Sequence, residues 1–184
     1  LVVQPVNGAE SAMLVDYCVD TAAVNCAIRL SIGPCPRTIT LPAGYGVREG
    51  CGVELHPGAD ALLVTYGPVM AHEALLAAEH LALRGIGLRV VNMPWLNRVD
   101  PGWLARAVAG VRAVFVVEDH APVGGLGDCL LRELVRHNLL QGRPFEVWGV
   151  EKFPACGTPA QALRHHRLDG ASLAERVTTG TPGC

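Results

Sequence analysis

The sequence predicts an α/β protein: a mostly parallel open sheet flanked by helices on both faces, preceded by a partial α/β domain. Three observations predict it. Short, unbroken apolar runs recur along the chain, helix-length stretches separate them, and Gly, Pro, Asn or Asp stands at most junctions. Strands with no polar alternation are strands buried on both faces, and strands that alternate with helices join by crossovers into a parallel sheet.

The elements follow in order. Leu1 to Val3 is a short strand closed by Pro5. Asn7-Gly8 turns the chain into a helix over Ala9 to Val19, where Ala12, Met13, Val15 and Val19 carry the apolar spacing and Glu10 sits in the first turn. Cys26 to Leu30 is the next strand, so the first 31 residues form one β-α-β unit with no sheet of their own to join. From Gly33 to Gly58 Gly and Pro are frequent, with a single short strand around Val53 to Leu55, which marks a linker. Beyond it the rhythm is regular. Strands are predicted at Ala61–Tyr66, Leu88–Met93, Ala113–Glu118 and Phe145–Val150. Helices are predicted at His72–Arg84, Pro101–Ala109, Gly127–Leu140, from Thr158-Pro159 to about His165, and from Ser172 onward. Asp100 followed by Pro101 is a helix N-cap with proline at the first helical position. The domain reading is therefore 1–45 for the partial domain and linker, 46–178 for the main domain, and 179–184 for a flexible tail.

Composition narrows the function classes. Half of the 184 residues are apolar, only 17% are charged, and the formal net charge is −2. This excludes disorder, and it excludes a basic nucleic-acid binder, which needs clustered Lys and Arg. The apolar stretch from Ala61 to Ala71 falls short of the ~18 residues of a membrane span. Seven cysteines show no C-x-x-C spacing and lie mostly among apolar neighbours, so they read as small core residues in a reducing, cytoplasmic setting. No signal peptide is visible, and the chain opens in mid-strand as a fragment would. A chain this apolar is expected to keep some surface for a partner.

The motifs that could carry chemistry are few. Gly124-Gly125-Leu126-Gly127 lies between a predicted strand and a predicted helix, where backbone N–H groups can hold an anion. Leu130 breaks the dinucleotide fingerprint and no P-loop Lys is present, so a tight turn for close helix–sheet packing is the alternative. Glu118-Asp119-His120 ends the preceding strand at the carboxyl edge, where open α/β sheets place ligands. A carboxylate beside an imidazole can do acid–base work, but neighbours on a strand point to opposite faces, so helix capping or interface hydrogen bonds compete with that reading. His72, Glu73, Glu79 and His80 lack metal-helix spacing and read as a solvated face, and adjacent His165 and His166 read as diverging surface residues. No catalytic residue and no metal ligand is assigned.

Four segments in this order carry a resemblance, "GADALLVTYGPVMAHEALLAAEHLALRGIGLRVVNM", "LNRVDPGWLARAV", "AVFVVEDHAPVGGLGDCLLREL" and "GTPAQALRHHRLDGASLAERV", together with "LVVQPVNGAESAMLVDYCVD" and "AIRLS" upstream of them. Together they resemble the C-terminal domain of the transketolase family of thiamine-diphosphate enzymes, from about Val47 to Val177, preceded by the last β-α-β of that family's pyrimidine-binding domain. Arg29 matches the Arg of the family's strand. Ile32 stands where members commonly carry an Arg that holds a substrate phosphate. Asn92-Met93 and the Glu-Asp-His followed by Gly-Gly-Leu-Gly look most like the transketolase branch.

The resemblance implies a C-terminal portion of a two-carbon ketol transferase that is not catalytic alone. Its partners would be the diphosphate- and pyrimidine-binding domains, in the same or a separate chain, within a homo-oligomer such as a dimer. Thiamine diphosphate and Mg²⁺ are implied for the complete enzyme and no cofactor for this portion. Ligand-binding or interface candidates are Arg29, Glu118, Asp119, His120, Gly124, Gly125 and Gly127. Other readings are a stand-alone assembly or binding module of the same fold, or the matching part of a deoxyxylulose-phosphate synthase or of a 2-oxoacid dehydrogenase beta subunit.

Overall fold

A computed structural model describes residues 1–32, 35–154 and 156–184. The Gly33-Pro34 start of the linker lies outside the described residues. Two strands come first: β1 (Val2–Val3) pairs in parallel with β2 (Ala27–Ile28), joined by helix α1 (Gly8–Asp16) and a π-helical turn at Tyr17–Thr21. The main sheet has the order β3-β5-β4-β6-β7, with β3 (Val53–His56), β4 (Ala61–Thr65), β5 (Leu88–Asn92), β6 (Ala113–Val117) and β7 (Phe145–Trp148). Only the edge strand β3 runs antiparallel. Helices α2 (Pro68–Ala82), α3 (Pro101–Ala107), α4 (Leu126–Arg136), α5 (Pro159–His165) and α6 (Gly170–Gly180) complete the chain.

The apolar strands are buried on both faces, as their unbroken runs require. On one face Leu62, Val64, Val114 and Val116 pack with Leu104 and Val108 beside α4's Leu126, Leu130 and Leu134. On the other, Leu63, Val90, Phe115 and Val117 meet Met70, Ala74 and Leu81 of α2 and Leu173 and Val177 of α6. Each fully buried Leu is worth roughly 2 kcal/mol against exposure, so two continuous faces supply the drive to fold.

Several boundaries differ from the sequence reading. Helix α2 begins at Pro68, not His72, because Gly67 takes a positive φ of 69° at the N-cap and Pro68 is pre-set for the first turn. Helix α4 stops at Arg136 because Asn138 adopts φ 53°, a left-handed residue that ends the helix before Gly142 does. Helix α6 starts at Gly170 and runs to Gly180, past the boundary read at 178. Thr181 is buried with its hydroxyl on Val177 O at 2.7 Å, and Arg112 Nη1 donates to Pro182 O at 2.5 Å. Only Cys51 and Cys129 of the seven cysteines are buried, so the core reading holds for two of them.

The N-terminal unit is tied in more closely than its lack of a sheet suggests. On the side away from β2, β1 forms an antiparallel bridge from Val3 to Trp95, with Gln4 N donating to Pro94 O and Leu96 N to Val2 O, both at 2.9 Å. Trp95 is fully buried, donates Nε1–H to Cys51 O at 3.1 Å, and meets the Tyr17 ring edge-on at 5.0 Å. Val3 and Leu14 thereby join the core of the main sheet.

Helices α2 and α6 pack closely where Gly170 faces Leu76, and a Cβ at 170 would lie 2.5 Å from Leu76 Cβ. A Gly170→Ala substitution is expected to cost about 1–3 kcal/mol of stability through this overpacking, read as a lower urea midpoint with an unchanged m-value.

Candidate functional site

Strand β6 ends at Val117, and Glu118 N donates to Trp148 O at 2.8 Å, so Glu118, Asp119 and His120 lie just beyond the strand at the sheet's carboxyl edge. The alternation that would separate them has ended there. Glu118 is fully buried, and its carboxylate accepts from Leu126 N at 2.9 Å and Gly127 N at 3.0 Å. No side chain of the local N-cap, Gly125, caps α4; the carboxylate at the end of β6 does it instead. Two charge-assisted hydrogen bonds at the positive end of a helix dipole stabilise this buried charge. Gly124 turns the chain at φ 78°, and a Cβ on Gly125 would collide with the Glu118 carboxylate. The Gly-Gly-Leu-Gly run therefore serves as both a tight turn and an anion site, and the anion is the chain's own.

Further partners converge on the same point. Tyr66, just past β4, directs its hydroxyl to Glu118 Oε2 at 3.2 Å and Asp119 Oδ1 at 3.4 Å. Burial first, then these two carboxylates, pushes its pKa well above the ordinary 10. His120 Nε2 lies 3.2 Å from Glu118 Oε2, and Nδ1 lies 2.5 Å from Ala121 O. Asp119 takes Arg29 Nη2 at 3.0 Å on Oδ1 and Gln4 Nε2 at 3.2 Å on Oδ2. Burial works against the Arg29 charge, but Asp119 more than offsets it and holds the guanidinium pKa above its usual value. All seven residues singled out from the sequence thus sit in one joint: Arg29 comes from the N-terminal unit, and the other six come from the end of β6 and the start of α4.

Sequence reasoning missed Gln4 and Tyr66. Both stand directly after a strand, Tyr66 at the same carboxyl edge as Glu118 and Gln4 at the carboxyl end of β1 in the small sheet, so the same rule would have found them. It also missed a second polar centre. Glu10, wholly buried, accepts from Val6 N at 2.7 Å, Tyr45 Oη at 2.7 Å, and Asn92 Nδ2 at 2.9 and 3.0 Å to its two oxygens. This centre ties α1, the linker and the end of β5 together. Two further expectations need correction. Glu73 is buried, its Oε2 accepting from Gly170 N at 2.7 Å to cap α6, and is not part of a solvated face. His165 and His166 converge, their rings edge-on at 4.9 Å.

Chemically, the joint positions groups and leaves little to react. Glu118 is sealed from solvent, and both of its oxygens are engaged. Among the described residues, Arg29 Nη1 and Gln4 Oε1 are the buried atoms of the joint without a hydrogen-bond partner. Among the described residues no group of three or more His, Cys, Asp or Glu side chains could hold a metal ion. No helix among them is long and apolar enough to cross a membrane.

Comparison with known proteins places the chain. The family described as "Transketolase, C-terminal domain" matches residues 50–173, and the chain belongs to it. It is 36% identical over 164 residues to 1-deoxy-D-xylulose-5-phosphate synthase of Thermobifida fusca, covering 83% of this chain and 25% of that one. It is 30% identical over 128 residues to a putative transketolase C-terminal section of Methanocaldococcus jannaschii, covering 70% and 39%. Among solved structures, a split gene transketolase described as an inactive beta4 tetramer superposes with a TM-score of 0.86 at 26% identity, over 97% of this chain and 57% of that chain. A Pichia stipitis transketolase mutant shares the fold, with a TM-score of 0.72 at 17% identity over 97% of this chain and 25% of that one. The chain thus spans between a quarter and about three-fifths of these relatives.

The two polar centres give separate predictions. In a double-mutant cycle of Arg29→Ala and Asp119→Ala the coupling is expected at about 1 kcal/mol, shrinking in high salt, because both side chains remain partly exposed. Additive urea denaturation results would show that the pair does not join the two parts. For Glu10, burial raises the carboxyl pKa above its ordinary 4.5, against the pull of the Tyr45, Val6 and Asn92 hydrogen bonds. The folded chain then keeps this proton where the unfolded chain has lost it. The contribution to stability is full below 4.5, falls as pH rises from there through the folded pKa, and is level above it. Glu10→Gln should remove that slope, so the variant gains on the wild type as pH rises. Parallel stability–pH curves would contradict it.

Proposed function

We propose that this chain is the C-terminal portion of a transketolase-like thiamine-diphosphate enzyme, in which it positions domains and subunits and does not catalyse alone. The observation that carries this reading is the joint itself: Arg29 and Gln4, from the unit before the linker, clasp Asp119 at the carboxyl edge of the main domain. The family resemblance reads that first unit as the end of a pyrimidine-binding domain. The joint then fixes how the C-terminal domain sits against the rest of an enzyme. The split gene transketolase chain, described as an inactive beta4 tetramer, supports the reading of a portion that lacks activity by itself.

The family implies thiamine diphosphate in the complete enzyme, and the described residues of this chain do not fit that group. The N–H donors at the start of α4 that could hold a diphosphate are bound by Glu118. The described residues offer no carboxylate cluster for its metal ion. The chain's part is therefore to orient, through the joint, the domains that would bind the cofactor.

Two branches compete for the reaction. Asn92-Met93 and the Glu118-Asp119-His120 run favour ketol transfer between sugars or related substrates. The 36% identity to the Thermobifida fusca protein favours a 1-deoxy-D-xylulose-5-phosphate synthase. Assembly with the diphosphate- and pyrimidine-binding domains, in the same or a separate chain, followed by product analysis, separates them: ketol exchange between sugars in one case, 1-deoxy-D-xylulose 5-phosphate in the other. The positional role is tested by His120→Ala in the same system. Losing one hydrogen bond should weaken association by about 1 kcal/mol, roughly fivefold, and leave turnover of the assembled enzyme nearly intact. A fall in turnover of about a hundredfold at saturating protein concentration, some 2.7 kcal/mol of barrier, would place His120 in the chemical step.

A further inference from the structure

We propose that the concavity at the carboxyl end of β7 binds a small organic phosphate, gripped by Arg176, Arg167 and Lys152. The cavity has a volume of about 400 Å³, and three cations line it against the one carboxylate of Glu151, with His165 and His166 on its wall. It opens at Gly149, directly after β7, where open α/β sheets place ligands.

Arg176 is the anchor. Its guanidinium lies 4.6 Å from the centroid of the Trp148 indole. That ring is itself held by stacking on Phe115 at 4.7 Å and by donating Nε1–H to Glu146 Oε2 at 2.9 Å. The guanidinium therefore sits on a fixed platform and is pre-organised for bidentate recognition, which lowers the ordering cost of binding. Among the described residues neither Arg176 nor Lys152 has a carboxylate within ion-pair distance. Arg167 has a 3.5 Å contact to Glu175, both side chains mostly exposed. Burial, and then the like charge of Arg167, pushes the Arg176 pKa below its usual value, with Glu146 and Glu151 opposing. An incoming anion would relieve that crowding.

The volume identifies the class of ligand. It falls within the ~300–1,000 Å³ of small-molecule sites and exceeds what a lone inorganic ion fills. A neighbouring, mainly apolar concavity of about 280 Å³, lined by Val150, Pro154, Pro159 and Leu163 with Asp119 at one side, shares His166 with it. The phosphate would sit over the guanidiniums and the carbon skeleton would extend into the apolar space.

The test is titration of the full chain with phenyl phosphate and with inorganic phosphate at constant ionic strength, followed by calorimetry and by tryptophan emission. Phenyl phosphate is expected to bind one per chain and more tightly than inorganic phosphate. Arg176→Gln should weaken it by about tenfold or more, equivalent to about 1.4 kcal/mol, whereas Arg106→Gln, on exposed α3 surface, should not. Because Arg176 also covers Trp148, Arg167→Gln serves as a second variant if Arg176→Gln loses its circular dichroism; weakened binding there supports the site. No saturable binding, equal affinity for the two phosphates, or unchanged affinity in a folded Arg176→Gln or in Arg167→Gln overturns the proposal.

Discussion

A carboxylate seated on the N-terminus of a helix holds the carboxyl edge of this molecule together. Glu118 leaves β6 buried away from bulk solvent, so its carboxylate must find donors in the protein. Leu126 N and Gly127 N supply them, and in doing so fix where α4 begins and how it lies on the sheet. An unpaired carboxylate at this depth would cost several kcal/mol, so the loop, the helix and the strand end are a single unit. Glycine at 125 follows from it, since a side chain there would occupy the space of the carboxylate.

From this fixed point the polar groups spread outward. Tyr66 bridges Glu118 to Asp119, Asp119 reaches Arg29 and Gln4, and the N-terminal unit is thereby held against the main sheet. Glu10 repeats the arrangement with Asn92 and Tyr45. Apolar packing gives both parts their cores, but it is not directional. Hydrogen-bonded carboxylates at two separate points fix the mutual orientation of the parts.

The alternation of apolar strands and helices made the fold legible, because period and burial are written in the side chains. Glu118, Asp119 and His120 were legible as a candidate site because they follow a strand at a carboxyl edge. What Glu118 does was not, since its principal partners are backbone N–H groups that no residue letter records. Glu73 looked solvated because its partner, Gly170, lies 97 residues further along the chain. Exposed cysteines among apolar neighbours misled for a related reason: local composition reports the neighbourhood in sequence, whereas burial is decided by what folds over it. Gln4 and Tyr66 needed only the edge rule applied to every strand, not to the one with charged residues after it.

The placement of β1 has a further consequence. It is flanked on both sides, by β2 and by the Trp95 segment, which leaves β2 as the rim of the small sheet. Around it Val24, Leu30 and Ile32 are exposed, the last completely. Among the described residues no strand pairs with the outer edge of β2, and such an edge beside bare aliphatic side chains is a template for strand addition. In a purified chain that template invites aggregation, so a charged residue at position 32 or 30 would be the first change to make in a soluble version of the protein.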